Sequence, residues 1–136
     1  MAPRYGQPVK RTRAGAGCTV TVCRGCCCGT TAKHPDVDHA GQLARLRGAL
    51  VGVAQVRVSD CLDVCEHSNV VVVSPSPAGR KAGARPVWLG FVLDDGAVDD
   101  IAAWVGSGGP GLADPPVTVD LYAFTPPRRA ARAAER

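Results

Sequence analysis

The sequence predicts a single α/β domain built on a small mixed sheet, with its elements in the order β-α-β-β-β-α. At 136 residues the chain is long enough for one hydrophobic core and too short for two ordinary domains. Segments in which apolar residues repeat every two positions alternate with segments in which they repeat every three or four, as in strands and amphipathic helices. With 46% hydrophobic and 21% charged residues, the composition excludes a chain that is disordered throughout.

The first strand and the first helix carry the clearest patterns. Residues 18–22 alternate with β-branched residues and run into a cluster of cysteine and glycine, which predicts a strand that ends at the cluster. Farther along, Asp36 or Asp38 can cap a helix in which leucines recur at steps of three and four as far as Leu50. Gly52 follows, and we expect the helix to end near it.

Three further strands are predicted. Residues 53–58 alternate between two faces, and residues 69–74 form an apolar run typical of a strand buried on both faces. Residues 87–93 form the last strand, after a segment at 75–86 that is rich in proline, glycine and basic residues and is expected to be a mobile loop. The helix can serve as a crossover between the first two strands, which makes them parallel, whereas the last two strands can pair as a hairpin.

The C-terminal part contains a second helix and an ambiguous segment. Asp94 or Asp95 can cap a helix with one apolar stripe, which ends at the glycine-rich residues 106–110. Residues 117–124 alternate well enough to form an additional edge strand, although proline pairs flank them on both sides.

These patterns divide the chain into three parts. Residues 1–17 are predicted to be a disordered basic arm, residues 18–106 the folded domain, and residues 107–136 a Gly/Pro linker with the possible edge strand and a flexible basic tail. Because basic residues are concentrated in the two tails, the formal net charge of +4 leaves residues 18–125 negative. A nucleic-acid partner is not expected, since such proteins carry basic residues on a folded face with aromatic side chains for stacking, and only 4% of residues here are aromatic.

Membrane insertion and secretion are not expected either. No apolar run approaches the roughly 18 residues that span a bilayer, and no apolar segment typical of a signal peptide follows the basic N-terminus. The seven cysteines are an odd number and most of them are clustered, which favours metal chemistry in a reducing compartment over a disulfide framework. We therefore expect a cytoplasmic protein.

Most of the cysteines lie in two loops, each of which follows a predicted strand. The first loop contains Cys23, Cys26, Cys27 and Cys28, and the second contains Cys61 and Cys65. Close pairs of thiolates in tight loops bind iron or zinc at little further entropic cost, and loops that leave neighbouring strands can bring four thiolates to one end of the sheet. Cys18, at the start of the first strand, is expected to be a small buried residue rather than a ligand.

The order of these motifs resembles a known family. A cysteine ends the first strand, another precedes Gly29, the loop Cys61-Leu62-x-x-Cys65 follows the second strand, and a valine-rich strand, a Trp-Leu-Gly-Phe segment and a closing helix complete the pattern. Over about residues 18–106 the chain is similar to the thioredoxin-like 2Fe-2S ferredoxins, which are related to the 2Fe-2S subunit of NADH and formate dehydrogenases.

The resemblance implies a thioredoxin-like fold, a cofactor and a function. The ligands of a 2Fe-2S cluster would be Cys23, Cys28, Cys61 and Cys65, with Cys26 or Cys27 as alternatives to Cys28. The protein would be a one-electron carrier and not an enzyme, would dock a redox partner such as a reductase or oxidase, and could form a homodimer.

Residues around these ligands are expected to tune the cluster. Backbone N–H groups of Gly25, Gly29 and Leu62 are candidates for hydrogen bonds to sulfur. Asp63 would lower the reduction potential if it faced the cluster rather than solvent.

Two other functions use the same cysteines. Cys23 and Cys26, together with Cys61 and Cys65, could form a structural zinc site of four thiolates. Cys23-Arg24-Gly25-Cys26 also has the spacing of a thiol-disulfide oxidoreductase, but this interpretation leaves the second loop unexplained.

The histidines and tryptophans are assigned to other roles. His34, His39 and His67 are expected to be surface or loop residues rather than ligands. Trp88 and Trp104 are expected to pack between the sheet and the closing helix.

Overall fold

The computed structural model describes residues 17–24, 28–60, 62 and 64–134, and for residues 65, 133 and 134 it describes the backbone only. Apart from Gly17, the predicted N-terminal arm at 1–17 lies outside the described residues.

The described residues form a mixed α/β fold. The strands are β1 (Thr19–Cys23), β2 (Gln55–Ser59), β3 (Val71–Ser74), β4 (Val87–Leu89) and β5 (Ala123–Phe124). The helices are α1 (His39–Leu50), α2 (Pro77–Lys81), α3 (Asp95–Gly106), α4 (Val117–Tyr122) and α5 (Arg128–Ala134), with a 3-10 helix at Cys65–His67. The predicted order is therefore confirmed from β1 to α3, with α2 added between β3 and β4.

These strands form one mixed sheet in the order β2-β1-β3-β4-β5. β1 runs parallel to β2, and the last residues of the two strands, Cys23 and Ser59, lie opposite each other. β3 is antiparallel to β1 and β4 is antiparallel to β3, which brings Val71 and Leu89 to the same end of the sheet. We call this end, where β1, β2 and β4 finish and β3 begins, the cysteine end.

One face of the sheet carries the main hydrophobic core, and α1 and α3 cover it. Alternate residues of a strand point to the same face, and here those residues are valine on β1 and β3 and leucine on β4. The fully buried core residues on this face include Val20, Val73, Leu89, Leu50 and Ile101.

The other face of the sheet carries a smaller cluster, in which strand residues pack with residues from loops and from α5. Its members are Cys23, Cys28, Leu62, Val64, Val70, Val72, Trp88 and Ala130, and we call it the opposite-face cluster. Trp88 thus does not pack between the sheet and α3 as predicted, because its position on β4 points the other way, whereas Trp104 does lie in the main core.

Both long helices begin at a predicted cap. The Asp38 side chain accepts a hydrogen bond from the Gly41 N–H at the start of α1, and the Asp94 side chain accepts one from the Ala97 N–H at the start of α3. An aspartate at this position satisfies a backbone donor that the helix itself leaves unpaired.

The segment at 75–86 is not the plain loop that we predicted. Ser76 accepts a hydrogen bond from the Gly79 N–H, and Pro77 occupies the first turn of α2. Proline is well suited to this position because the missing N–H would have no helical partner there.

The segment from residue 107 onward is more structured than predicted. Residues 117–122 form α4 instead of a strand, and α4 places Val119 in the main core. The expected edge strand is restricted to β5, which pairs with β4. Instead of a flexible tail, residues 128–134 form α5, and its Ala130 is buried in the opposite-face cluster.

None of the described helices is both long enough and apolar enough to cross a bilayer.

Candidate metal centre

Two loops leave the sheet side by side at the cysteine end. Because β1 and β2 are parallel neighbours, the loop after Cys23 and the loop after Ser59 begin next to each other. The Arg24 N–H continues this pairing by donating to the Ser59 carbonyl at 3.0 Å. Val70, the residue before β3, contributes its carbonyl, which accepts a hydrogen bond from the Cys23 N–H at 3.0 Å.

Cys23 is buried at this junction. Only 2% of its surface is exposed, and its thiol lies on the face away from α1 and α3. Its Sγ donates to the carbonyl of Asp60 at 3.6 Å, so it directly contacts the residue that precedes Cys61. The first predicted ligand therefore points toward the loop that carries the second predicted pair.

Cys28 lies in the same cluster and is 3% exposed. Its Sγ accepts a hydrogen bond from the Val70 N–H at 3.4 Å. Hydrogen bonds of this kind to a thiolate stabilise its negative charge. The sequence predicts Gly29 as another donor to sulfur, but its N–H donates instead to Asn69 Oδ1 at 2.8 Å.

The second cysteine loop is described only in part. Cys61 lies outside the described residues, and Cys65 begins the 3-10 helix without a described side chain. Leu62 and Val64, between them, are buried in the opposite-face cluster together with Cys23 and Cys28. Their packing brings this loop against the first cysteine loop.

Several other predicted positions also lie outside the described residues. These are Gly25, Cys26, Cys27 and Asp63. Among the described side chains, no group of three or more His, Cys, Asp or Glu residues is arranged to hold a metal ion.

A chain of polar contacts joins the first cysteine loop to the start of α1. Asn69 is 1% exposed, and its side-chain nitrogen lies 2.9 Å from His39 Nδ1. His39 Nε2 lies 3.1 Å from the His34 carbonyl, which can only accept, so Nε2 carries the proton and Nδ1 accepts from Asn69. With its side-chain nitrogen directed at His39, Asn69 directs Oδ1 toward the Gly29 N–H and accepts its hydrogen bond.

His39 is therefore not the surface residue that we predicted, since it is 7% exposed and forms part of this chain. His34 is partly buried, and its Nε2 lies 3.1 Å from the Ser68 hydroxyl. The sequence reasoning also missed Asn69, because an asparagine in a loop has no pattern that reveals which residue it will bond.

Arg24 extends across the first cysteine loop. One guanidinium nitrogen donates to the Cys23 carbonyl at 3.0 Å, and the other donates to the His39 carbonyl at 3.2 Å. Its side chain crosses Gly29, where an added Cβ would overlap the Arg24 Cδ atom and lie 2.7 Å from Nε. Gly29 also has a φ of +75°, so this position favours glycine for two independent reasons.

His67 lies two residues beyond Cys65 and belongs to an aromatic group. Its ring stacks on Phe124 at a centroid distance of 3.9 Å, and Phe91 lies 5.7 Å away. His67 Nδ1 is buried without a hydrogen bond among the described residues, and the Glu66 carboxylate is 3.8 Å from it.

Cys18 lies at the other end of β1. It is 4% exposed in the main core, and its Sγ donates to the Gly108 carbonyl at 3.4 Å. Burial raises the pKa of this thiol above its ordinary value, although a backbone hydrogen bond at Ser76 partly opposes the shift. The prediction that Cys18 is a small buried residue is therefore confirmed.

The arrangement is suited to binding a thiophilic metal. Thiolates are ligands for zinc and for iron–sulfur clusters, and the described pair is shielded from water by valine, leucine and tryptophan. Cys23 and Cys28 thus fit either group as ligands. Comparison with protein-family models, with curated proteins and with solved structures found no match to this chain.

Proposed function

We propose that this chain is a one-electron carrier, a ferredoxin, that holds a 2Fe-2S cluster through Cys23, Cys28, Cys61 and Cys65. The observation that carries the proposal is the position of Cys23, which is buried beside Cys28 while its Sγ contacts the Asp60 carbonyl in the second cysteine loop. Two cysteine loops that leave adjacent parallel strands are an economical way to collect four thiolates.

When bound, such a cluster accepts and releases one electron, and no general acid or base is required. The chain's own residues have other tasks. Cys23 and Cys28 supply thiolates in a site with little water, and the Val70 N–H donates to the Cys28 sulfur. Burial, net charge and hydrogen bonds to sulfur are the factors by which a protein sets a cluster's reduction potential.

The topology supports the thioredoxin-like part of the proposal. β1 and β2 are parallel and joined through α1, and β3 and β4 form an antiparallel pair followed by α3. β1 lies between β2 and β3 in the sheet, and the order β-α-β-β-β-α that the resemblance implies is followed from β1 to α3 apart from the added α2.

The alternative functions make different demands on Cys23. A thiol-disulfide oxidoreductase needs an accessible attacking thiol, and at 2% exposure Cys23 is poorly placed for this role. Structural zinc is compatible with burial, so only measurement of the bound metal separates it from the cluster.

The test is to purify the full chain without oxygen and measure its visible spectrum, iron, acid-labile sulfide and zinc. We expect visible absorption that dithionite bleaches, with iron and sulfide in equal amounts. A colourless protein that contains zinc, or no metal at all, would refute the electron-carrier proposal.

Two cysteine variants provide a matched comparison, because Cys18 and Cys23 are both buried and lie at opposite ends of β1. Cys23→Ala should lose the visible absorption, since it removes a ligand. Cys18→Ala should retain it. Loss of the cluster in both variants would indicate a general effect on folding and would contradict the assignment.

The partner is proposed to be a reductase or oxidase with a basic docking surface, in a reducing compartment such as the cytoplasm. The net negative charge of residues 18–125 supports this choice, because electron-transfer contacts are small and electrostatically steered.

A further inference from the structure

Arg24 places a positive charge in the first cysteine loop. Its side chain is partly buried, and its two described hydrogen bonds go to neutral carbonyl groups rather than to a carboxylate. None of the ion pairs formed among the described side chains includes Arg24. The guanidinium therefore keeps its full charge, and no carboxylate among the described side chains pairs with it.

The guanidinium lies in the first cysteine loop, close to the two described cysteines. It donates to the Cys23 carbonyl at 3.0 Å, and its side chain crosses Gly29, the residue after Cys28. Both cysteines are at most 3% exposed, so the interaction of their thiolates with the guanidinium is screened less than it would be at the surface.

The loop is built to hold the guanidinium there. The fork spans from the end of β1 to the first residue of α1, and Gly29 leaves room for the side chain to pass. Because both ends of this span belong to regular elements, the position of the charge is fixed by the fold.

We propose that Arg24 is the charge-compensating residue of the thiolate site, and that its positive charge raises the reduction potential of the cluster. The inference rests on the proposed function. Four thiolates and a cluster carry net negative charge, and adding one electron makes the site more negative. A fixed neighbouring cation stabilises the reduced form more than the oxidised form, without any bond being broken.

The test compares the reduction potential of the loaded full chain with that of three variants. Arg24→Gln and Arg24→Met remove the charge, and Met also keeps the apolar contact over Gly29. Arg24→Lys keeps the charge but cannot reproduce the two-carbonyl fork. Arg80→Gln is the matched control, because it removes an exposed arginine in α2, beyond the far end of β3.

Each protein is titrated with dithionite without oxygen, and iron and sulfide are measured on the same samples. At a fixed potential, the ratio of reduced to oxidised protein should fall roughly tenfold in the uncharged variants, which is about 59 mV for one electron. Arg24→Lys should stay within about threefold of the unchanged chain, and Arg80→Gln should not differ from it.

The outcomes separate this inference from the function on which it rests. If the unchanged chain contains no iron and sulfide, the proposed function fails and the inference fails with it. If a loaded, uncharged variant has the potential of the unchanged chain, the inference alone is overturned. A loss in Arg24→Lys as large as in Arg24→Gln would also overturn it, because the hydrogen bonds rather than the charge would then be responsible.

Discussion

Replacement of Asn69 by alanine should destabilise the fold strongly, because this side chain joins the cysteine loop to α1. Its Oδ1 accepts from the Gly29 N–H at 2.8 Å, and its nitrogen donates to His39 Nδ1 at 2.9 Å. Asn69→Ala leaves both partners without a bond, while the Val92 N–H keeps its bond to the residue 69 carbonyl.

The expected loss follows from these two groups. A buried polar group left without its partner costs about 1–3 kcal/mol. Gly29 is only partly buried, so water can replace part of its bond, and we expect a total of about 2–4 kcal/mol. With a urea dependence of about 1.5 kcal/mol per molar, the unfolding midpoint should fall by roughly 1–3 M.

The assay is urea unfolding in reducing buffer, followed by tryptophan fluorescence, with and without bound metal. A double-mutant cycle with His39→Leu isolates the Asn69–His39 contact. Each single change leaves the other partner unpaired and the double change does not, so the double variant should lose about 1–2 kcal/mol less than the sum of the singles. Additive losses, or a loss below about 0.5 kcal/mol in Asn69→Ala, would refute the assignment of this contact chain.

Three further perturbations test other parts of the structure. Gly29→Ala should reduce the free energy of unfolding in urea by about 2–3 kcal/mol, and Gly83→Ala by about 1 kcal/mol. Both glycines have a positive φ, but of the two only residue 29 lacks room for a Cβ. Equal losses would contradict the crowding of the Arg24 side chain against residue 29. The hydrogen bond from Arg45 lowers the pKa of Asp99, so the stabilisation by this pair is present above the ordinary carboxylate range and is lost as the pH falls through the lowered pKa. Arg45→Gln should therefore differ from the unchanged chain in thermal unfolding near pH 7 but not in strong acid or high salt, and a difference that persists in acid would argue against the pair. The Cys18 thiol should react with iodoacetamide at least about tenfold more slowly in the folded chain than in urea, as measured by mass spectrometry. Burial limits access of the reagent, and the raised pKa of Cys18 reduces the fraction of reactive thiolate. Equal rates would show that Cys18 is exposed.

Elements with local signals could be predicted from the sequence. The starts of α1 and α3 were recognisable because Asp38 and Asp94 each precede an apolar repeat, and the capping contact reaches only three residues ahead. The parallel pairing of β1 with β2 also followed from a simple rule for strands joined through a helix.

The segment at 117–122 could not be predicted in this way. Its alternating Val-Thr-Val-Asp pattern favours a strand, but Val119 packs into the main core and the Thr118 hydroxyl donates to the Asp100 carboxylate of α3. Tertiary contacts outweigh local preference in so short an element. The start of α2 was readable, since serine followed by proline is typical of a helix start, but the many prolines and glycines nearby favoured a loop.

The same distinction between local signals and long-range contacts applies to the candidate site. The placement of Cys23 and Cys28 at one end of the sheet followed from the strand order, whereas the roles of Arg24, His39 and Asn69 did not. The Arg24–His39 contact joins residues 15 positions apart, and the Gly29–Asn69 contact joins residues 40 positions apart. No sequence pattern encodes such pairs, because they depend on how separate loops meet after folding.

The burial of Ala130 has a consequence for the order of events during synthesis. α5 follows every other described element along the chain, and it packs on the sheet face that carries Cys23 and Cys28. On the ribosome, β1 to β4 can assemble before α5 emerges, so this face is completed last. An iron or cluster donor that acts during translation would therefore meet these thiols before their final cover is in place.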